Sequence, residues 1–367
     1  MFIVLDSMEV VPDVYRARRR REKYRQCENI RRRLDDTTAE ITCPAVRYVF
    51  RRLGHAILVV IGVSFLTFVL AAAAPGTIVD ELRLDPRVSP ETIEAMRVRY
   101  RVDEAVPGQY LRWLQSVGRG EFGFSVAYNT PVGPLLWPRV RNTLLLTVPA
   151  TLLSWFIAVP LGTWAAGRKG GWLDRVATGA TTTLLGIPEL LLGLGLLLVA
   201  VRTGVLPTGG MTSLDFDQLE PWQKARDVLV HLVLPVTALT LVNLPVLVRH
   251  VRASVIDVTS ARFIQAARAS GVPEGRLLFR HALRTAANPL ISLFGLSLAG
   301  LLSASLVIES IMSWPGLGPL LLDAVANRDL HVVVAAVSCS TVLLVAGNLL
   351  ADGLLYLADP RVRPERA

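Results

Sequence analysis

The stretch "FIQAARASGVPEGRLLFRHALRTAANP", Phe263 to Pro289, carries four Arg, one His, two Gly and two Pro between two long apolar runs. Those runs, His231 to Val251 before it and Ala286 to Ser310 after it, have the length of a bilayer crossing. Phe263 to Ser270 mixes helix formers with small residues, Gly271 suits a helix stop, and Pro273 suits the first turn of a following helix. The pattern predicts two short helices joined at Gly271-Val272-Pro273. On the first, Ala266, Ala267 and Ser270 keep one side slim enough for a partner's backbone or cleft to approach. On the second, Arg276, Arg280 and Arg284 recur at helical spacing as a basic stripe suited to acidic groups or lipid phosphates. A plain interfacial helix would also show the stripe, but it would need neither the slim side nor the Gly-Pro break.

Outward from this stretch the chain is predominantly apolar. Hydrophobic residues make up 52% of the 367, the net charge is +9, and the mean hydropathy is +0.45, a combination that soluble domains seldom show. Six windows can cross a bilayer: Leu53 to Ala74, Asn142 to Ala166, Val176 to Val201, His231 to Val251, Ala286 to Ser310 and His331 to Ala358. Proline inside several of them, such as Pro149, Pro160, Pro188, Pro235 and Pro245, is tolerated in lipid because neighbouring helices satisfy the freed backbone groups. The fold class expected is an all-α integral membrane protein with six transmembrane helices.

Orientation follows from the distribution of basic residues. With the N-terminus inside, 26 of the 39 Lys and Arg fall on the inner side, seven of them from Arg249 to Arg284. The two short outer loops hold only Arg202, Lys224, Arg226 and Arg328. Both termini are expected in the cytoplasm. The expected organisation is a basic N-terminal extension over 1–46, a first span over 47–75, an outer segment over 76–141 and a five-helix core over 142–367, with the charged loop at 257–285. Because positive charge recurs on alternate loops, it argues against a nucleic-acid partner. The tail from Val14 to Arg33 holds ten basic residues and reads as a solvated extension or a helix for anionic lipid.

The remaining landmarks bear on chemistry. Cys27, Cys43 and Cys339 lie far apart, which supports neither a disulfide framework nor a metal site. His55, His231, His250, His281 and His331 are each isolated in sequence, so no catalytic or metal set is expected within the spans. Trp113, Phe122, Phe124 and Trp137 are expected to fill the core of an outer cap or to sit at the interface. Glu189 falls near the middle of the third window, in "LLGIPELLLGLGLLL". An acid there costs about 2.5–3.5 kcal/mol on insertion scales, which nearby leucines at about 0.3–0.6 kcal/mol each can offset. It should face the bundle interior or a wet cavity, as a pathway residue meeting a cationic part of a substrate or as a structural hydrogen bond beside Pro188.

The opening stretch, with Gln265-Ala266-Ala267 followed after three residues by Gly271, resembles the cytoplasmic signature loop of the permeases of ABC importers. Downstream, "VIESIMSWPGLGPLLLDAVANRDLHVV" and "LADGLLYLADPRVR" are similar to the dipeptide and oligopeptide branch of that family. Upstream, "PGQYLRWLQSVGRGEFGFSV", "RVRNTLLLTVPATLLSW", "PLGTWAAGRKGGWLD" and "HLVLPVTALTL" resemble the same branch, so the likeness runs from about Arg47 to Arg363. Two departures stand out. Gln265 occupies the signature's acidic position, and Pro75-Gly76-Thr77-Ile78 stands where the family commonly shows Pro-Gly-Asp-Pro.

The resemblance implies a multi-pass permease of a bacterial plasma membrane. Phe263, Gln265, Ala266, Ala267, Ser270 and Gly271 would form a coupling helix seated in a cleft of a cytoplasmic ATPase. Trp314, Pro315, Gly316 and Gly318 would face an extracytoplasmic substrate-binding protein, and a second, similar permease subunit would complete the path. The chain has no Gly-x-x-x-x-Gly-Lys-Ser/Thr loop, so ATP and Mg would be held by partner subunits, with no cofactor on this chain. The cargo implied is a peptide; nickel chelates, glutathione or sugars are the alternatives. A stand-alone secondary transporter would need its own coupling-ion residues or an inverted repeat, and neither is evident.

Overall fold

The computed structural model describes residues 50–73, 89, 91 and 105–358. The N-terminal extension over 1–46, the Pro75-Gly76-Thr77-Ile78 turn and the terminal Arg361, Arg363 and Arg366 lie outside the described residues. The helices are α1 (Phe50–Ala73), α2 (Val106–Val117), α3 (Val132–Gly167), α4 (Trp172–Leu185), α5 (Glu189–Thr203), α6 (Pro221–Thr259) and α7 (Arg262–Ala269). Next comes α8, running from Glu274–Arg276 through a π-helical stretch, Leu277–Ala282, to Leu283–Thr285. Then follow α9 (Ala287–Ile311), α10 (Leu317–Ala326) and α11 (Leu330–Ala358). One two-stranded antiparallel hairpin, β1 (Phe124–Ser125) with β2 (Thr130–Pro131), turns at Asn129. The main compact unit is Ile57–Asp359, described below.

Among the described residues, five helices are long and apolar enough to cross a membrane, α1, α3, α6, α9 and α11, or six spans if α4 and α5 together make one. Helices α3 and α6 have 36 and 39 residues. At 1.5 Å per residue each exceeds 50 Å, roughly 20 Å more than the hydrocarbon core, so both project beyond the expected 142–166 and 231–251 windows.

The third window is not one continuous helix. The α4–α5 pair bends by 101° across Gly186-Ile187-Pro188. Pro188 has no N–H to offer the preceding turn and disfavours helical geometry at Ile187, so α4 stops at Leu185. Glu189 therefore opens α5 instead of lying mid-helix, and its carboxylate sits where the helix dipole favours negative charge.

Small residues let the helices approach closely. On α3, Ala158, Gly162 and Ala166 recur every fourth residue and pack against Leu247, Val248, Val251 and Val255 of α6. A Cβ on Gly162 would lie 2.8 Å from the Val251 side chain and 3.0 Å from the Val248 carbonyl, so only glycine fits. The α9–α11 seam repeats the device, with Gly295 against Ala351 and Asn348. Helix α3 also meets α9 through Trp155, whose indole Nε1 donates to Ser297 Oγ at 2.9 Å.

Between α1 and α3 the described residues form a helix and a hairpin laid on the bundle. Tyr110 and Trp113 of α2 pack on Phe68 of α1, and the Tyr110 hydroxyl donates to the Ile61 carbonyl at 3.1 Å. Trp113 Nε1 donates to the Phe122 carbonyl at 3.2 Å. Trp113 is thus a core residue, whereas Trp137 on α3 is exposed. Asp329, just before α11, accepts from Ser125 Oγ at 2.6 Å and from the Ala127 N–H at 3.3 Å, which fastens the hairpin to the α11 end.

Candidate coupling helix, substrate path and outer loop

Helix α7 has eight residues and one fully buried side chain, Ile264. Ile264 shares a core cluster with Leu277, Leu278 and Ala282 of α8, and with Val251 and Val255 of α6. Phe263, Gln265, Ala266, Ala269 and Ser270 are exposed, whereas Ala267 is half-buried and packs on that cluster. The small outward face is therefore Ala266, Ala269 and Ser270, with Ala267 on the inner side.

The helix stops as Gly271 suggests. Gly271 has φ +81°, its N–H donates to the Arg268 carbonyl at 3.1 Å, and the Val272 N–H donates to the Ala267 carbonyl at 3.2 Å. This is the paired closure of a Schellman motif, with Val272 packed on the same cluster as Ala267. Across the turn, Arg268 and Glu274 pair through two bonds, at 2.7 and 3.2 Å. The Glu274 carboxylate raises the Arg268 pKa above the ordinary arginine value. Gln265 Nε2 donates to the Ser260 carbonyl at 3.2 Å. An ionised glutamate could only accept, so the amide replaces the signature's acid with a bond that ties α7 to the end of α6.

The turn between α3 and α4 abuts this element. A Cβ on Gly167 would fall 2.3 Å from Leu278 Cδ1, so α3 ends flush against α8. Asp174 of α4 is buried and takes both Arg252 Nε, at 2.5 Å, and Nη2, at 2.9 Å, joining α4 to α6. The Gly170 N–H donates to the same carboxylate at 2.9 Å.

Glu189 is half-buried, and among the described residues it belongs to no group of three or more His, Cys, Asp or Glu that could hold a metal ion. Its place at the kink opens α5 beside Leu192 and Gly193, which face Ile308 and the central core.

The outer loop from Met312 to Leu317 is held from within. Trp314 is fully buried, and its Nε1 donates to the Asn142 carbonyl at 3.0 Å. Asn142 Nδ2 donates to the Pro315 carbonyl at 2.9 Å. The first N–H groups of α10 are capped by other helices: Leu317 donates to Thr143 Oγ1 of α3 at 2.9 Å, and Gly318 donates to Glu309 Oε2 of α9 at 2.7 Å. Gly316 and Gly318 leave no room for a Cβ beside the Glu309 carboxylate. Of Trp314, Pro315, Gly316 and Gly318, Pro315 alone keeps partial exposure, and Ser313 beside it is exposed. Glu309 did not stand out in sequence, although it is an acid inside an apolar run, the same signal that marks Glu189.

Residues 158–364 match the family model described as "Binding-protein-dependent transport system inner membrane component", and residues 45–135 match that of its N-terminal part. The chain is 37% identical over 322 residues to the oligopeptide transport system permease protein AppB of Bacillus subtilis, covering 86% of this chain and 98% of that one. It is 31% identical over 338 residues to the dipeptide transport system permease protein DppB of Escherichia coli K12, covering 88% and 100%. Among solved structures, inward-facing MetNI methionine ABC transporter is similar with a TM-score of 0.50 at 18% identity, over 61% of this chain and 96% of that chain. That likeness concerns the helical fold alone. With more than half its length matched, and the apolar helices to form a multi-pass bundle, the chain belongs to the family of binding-protein-dependent transport system inner membrane components.

Proposed function

We propose that the chain carries peptides across a bacterial plasma membrane as one of two permease subunits of an ATP-driven importer, with both termini cytoplasmic. The observation that carries the reading is α7: a helix whose one fully buried side chain is Ile264, slim on its outward face, and interposed between two spanning helices. Such an element can enter a cleft on a cytoplasmic ATPase while its inner face stays joined to α6 and α8. Closure of the ATPase pair would then shift the bundle between inward-open and outward-open states. The ATPases would hold ATP and Mg, and this chain would hold no cofactor.

The outer loop, held by Asn142, Thr143 and Glu309, would give Ser313 and Pro315 a fixed outline for a substrate-binding protein, with Trp314, Gly316 and Gly318 as its inner support. Glu189 would meet a positively charged part of the cargo, such as a peptide amino terminus. Peptide cargo is supported by the names of the two relatives above.

The test is Ala266→Trp in the assembled transporter. Membrane insertion and permease yield should be unchanged, while co-purification of the ATPase and peptide uptake both fall. Normal uptake with Trp at that position would mean that α7 is a solvated connector.

A further inference from the structure

Cations at the α7 end of the bundle fall into two groups. Arg252 and Arg268 are each paired with a carboxylate, Asp174 and Glu274. Arg276, Arg280 and Arg284 of α8 are exposed and form no ion pair among the described residues. The same holds for Arg168 and Lys169 in the α3–α4 turn, which Gly167 presses against Leu278 of α8. Asp257, near the close of α6, is exposed and forms no ion pair among the described residues. Among the described residues, intramolecular pairing is therefore used where it fixes the helix joints, and along α8 it goes no further than Glu274, its first residue.

The position of α8 says what could neutralise it. Only Ala286 separates it from α9, whose membrane-crossing stretch begins at Ala287. Arg284 is three residues before that stretch, roughly 5 Å along a helix, which is the depth of the headgroup layer. Phe279, exposed between Arg276 and Arg280, and Trp172, exposed just beyond the α3–α4 turn, supply the aromatic groups that settle at a membrane interface. The opposite side of α8, with Leu277, Leu278 and Ala282, is buried in the core that holds Ile264.

We propose that the exposed arginines of α8, with Arg168 and Lys169 beside them, bind the headgroups of anionic phospholipids and so hold the coupling helix at its working height. The phosphates face Arg276, Arg280 and Arg284. Restraint passes to α7 through the Ile264–Leu277–Leu278 core and the Arg268–Glu274 pair. The inference rests on the reading that α7 faces the cytoplasm and docks an ATPase.

The experiment uses the full permease and its assembled transporter in vesicles of phosphatidylcholine, with or without phosphatidylglycerol. Phosphatidylglycerol retained by the purified permease is measured by native mass spectrometry, and uptake is measured in both vesicle types. Each Arg→Gln change at positions 276, 280 and 284 should weaken retention about fivefold, and the triple variant about a hundredfold. Phosphatidylglycerol should raise wild-type uptake and leave that of the triple variant unchanged. Retention unaffected by the triple change overturns the proposal. So does an equal loss of uptake in both vesicle types with retention intact, which would assign this face to the ATPase. Retention needs no ATPase, so its loss alongside normal uptake by Ala266→Trp would sink the coupling reading and leave the lipid site standing.

Discussion

Gly316→Ala tests whether the outer loop is built round the Glu309 carboxylate. An added Cβ would stand 2.3 Å from Glu309 Oε2, 2.4 Å from Cδ and 2.6 Å from Oε1, where ordinary contact begins at 3.4 Å. Something must move by about 1 Å, and the fully buried carboxylate has no open side to move into. Overpacking of this kind costs about 1–3 kcal/mol. Displacing Oε2 also lengthens the 2.7 Å bond from the Gly318 N–H, a bond worth about 0.5–1.5 kcal/mol. Together they come to about 1.5–4.5 kcal/mol, roughly 5–10 °C in the unfolding midpoint of the purified permease in detergent. The double variant Gly316→Ala/Glu309→Ala removes the obstacle together with the bond. It should therefore be more stable than the sum of the two single changes implies, by at least about 1 kcal/mol. A Gly316→Ala protein that melts within a degree of wild type, or strictly additive costs, would refute the reasoning.

Three further outcomes follow from the geometry. Gly271→Val should unwind the stop after α7, because a β-branched residue resists φ +81°, whereas Gly271→Asn should retain most uptake; the pair isolates backbone handedness, since a side chain there meets nothing within 4 Å. Gly162→Leu should disrupt the α3–α6 seam and reduce the folded yield after detergent extraction, with Gly179→Leu, where a Cβ has open space, as the tolerated control. Asp174→Ala strands the Arg252 guanidinium at the α4–α6 joint and should destabilise by about 3 kcal/mol in thermal unfolding, whereas the added Arg252→Ala change should recover part of the loss.

Hydropathy and charge made the apolar helices legible, because twenty apolar residues in a row have few other uses. The two halves of the charged loop were legible for a different reason: Gly271 and Pro273 each carry a backbone constraint that acts locally. Helix ends beyond the bilayer were not legible, since α3 and α6 continue as helices through polar residues that no lipid requirement marks. The α4–α5 bend is not legible in sequence, because Pro188 is tolerated inside a lipid-embedded helix when neighbours take up its freed groups, and whether they do is a tertiary fact. Ala267 was assigned to the outward face because helical spacing gives relative angles and not the direction of the core. The cap of α10 was invisible for the same reason, since Thr143 and Glu309 come together only once α3 and α9 are packed.

The partners of the outer elements also set an order of assembly. Thr143 and Glu309 both leave the ribosome before Leu317 and Gly318, so α10 emerges to find its cap already in place. The hairpin has the reverse arrangement: Ser125 waits 204 residues for the Asp329 carboxylate that fastens it. At elongation rates of about 5–20 residues per second, that is a delay of roughly 10–40 s, during which the outer segment has no anchor at the α11 end. A late residue thus fastens a much earlier segment, and a chain arrested before Asp329 would leave that hairpin open to proteolysis.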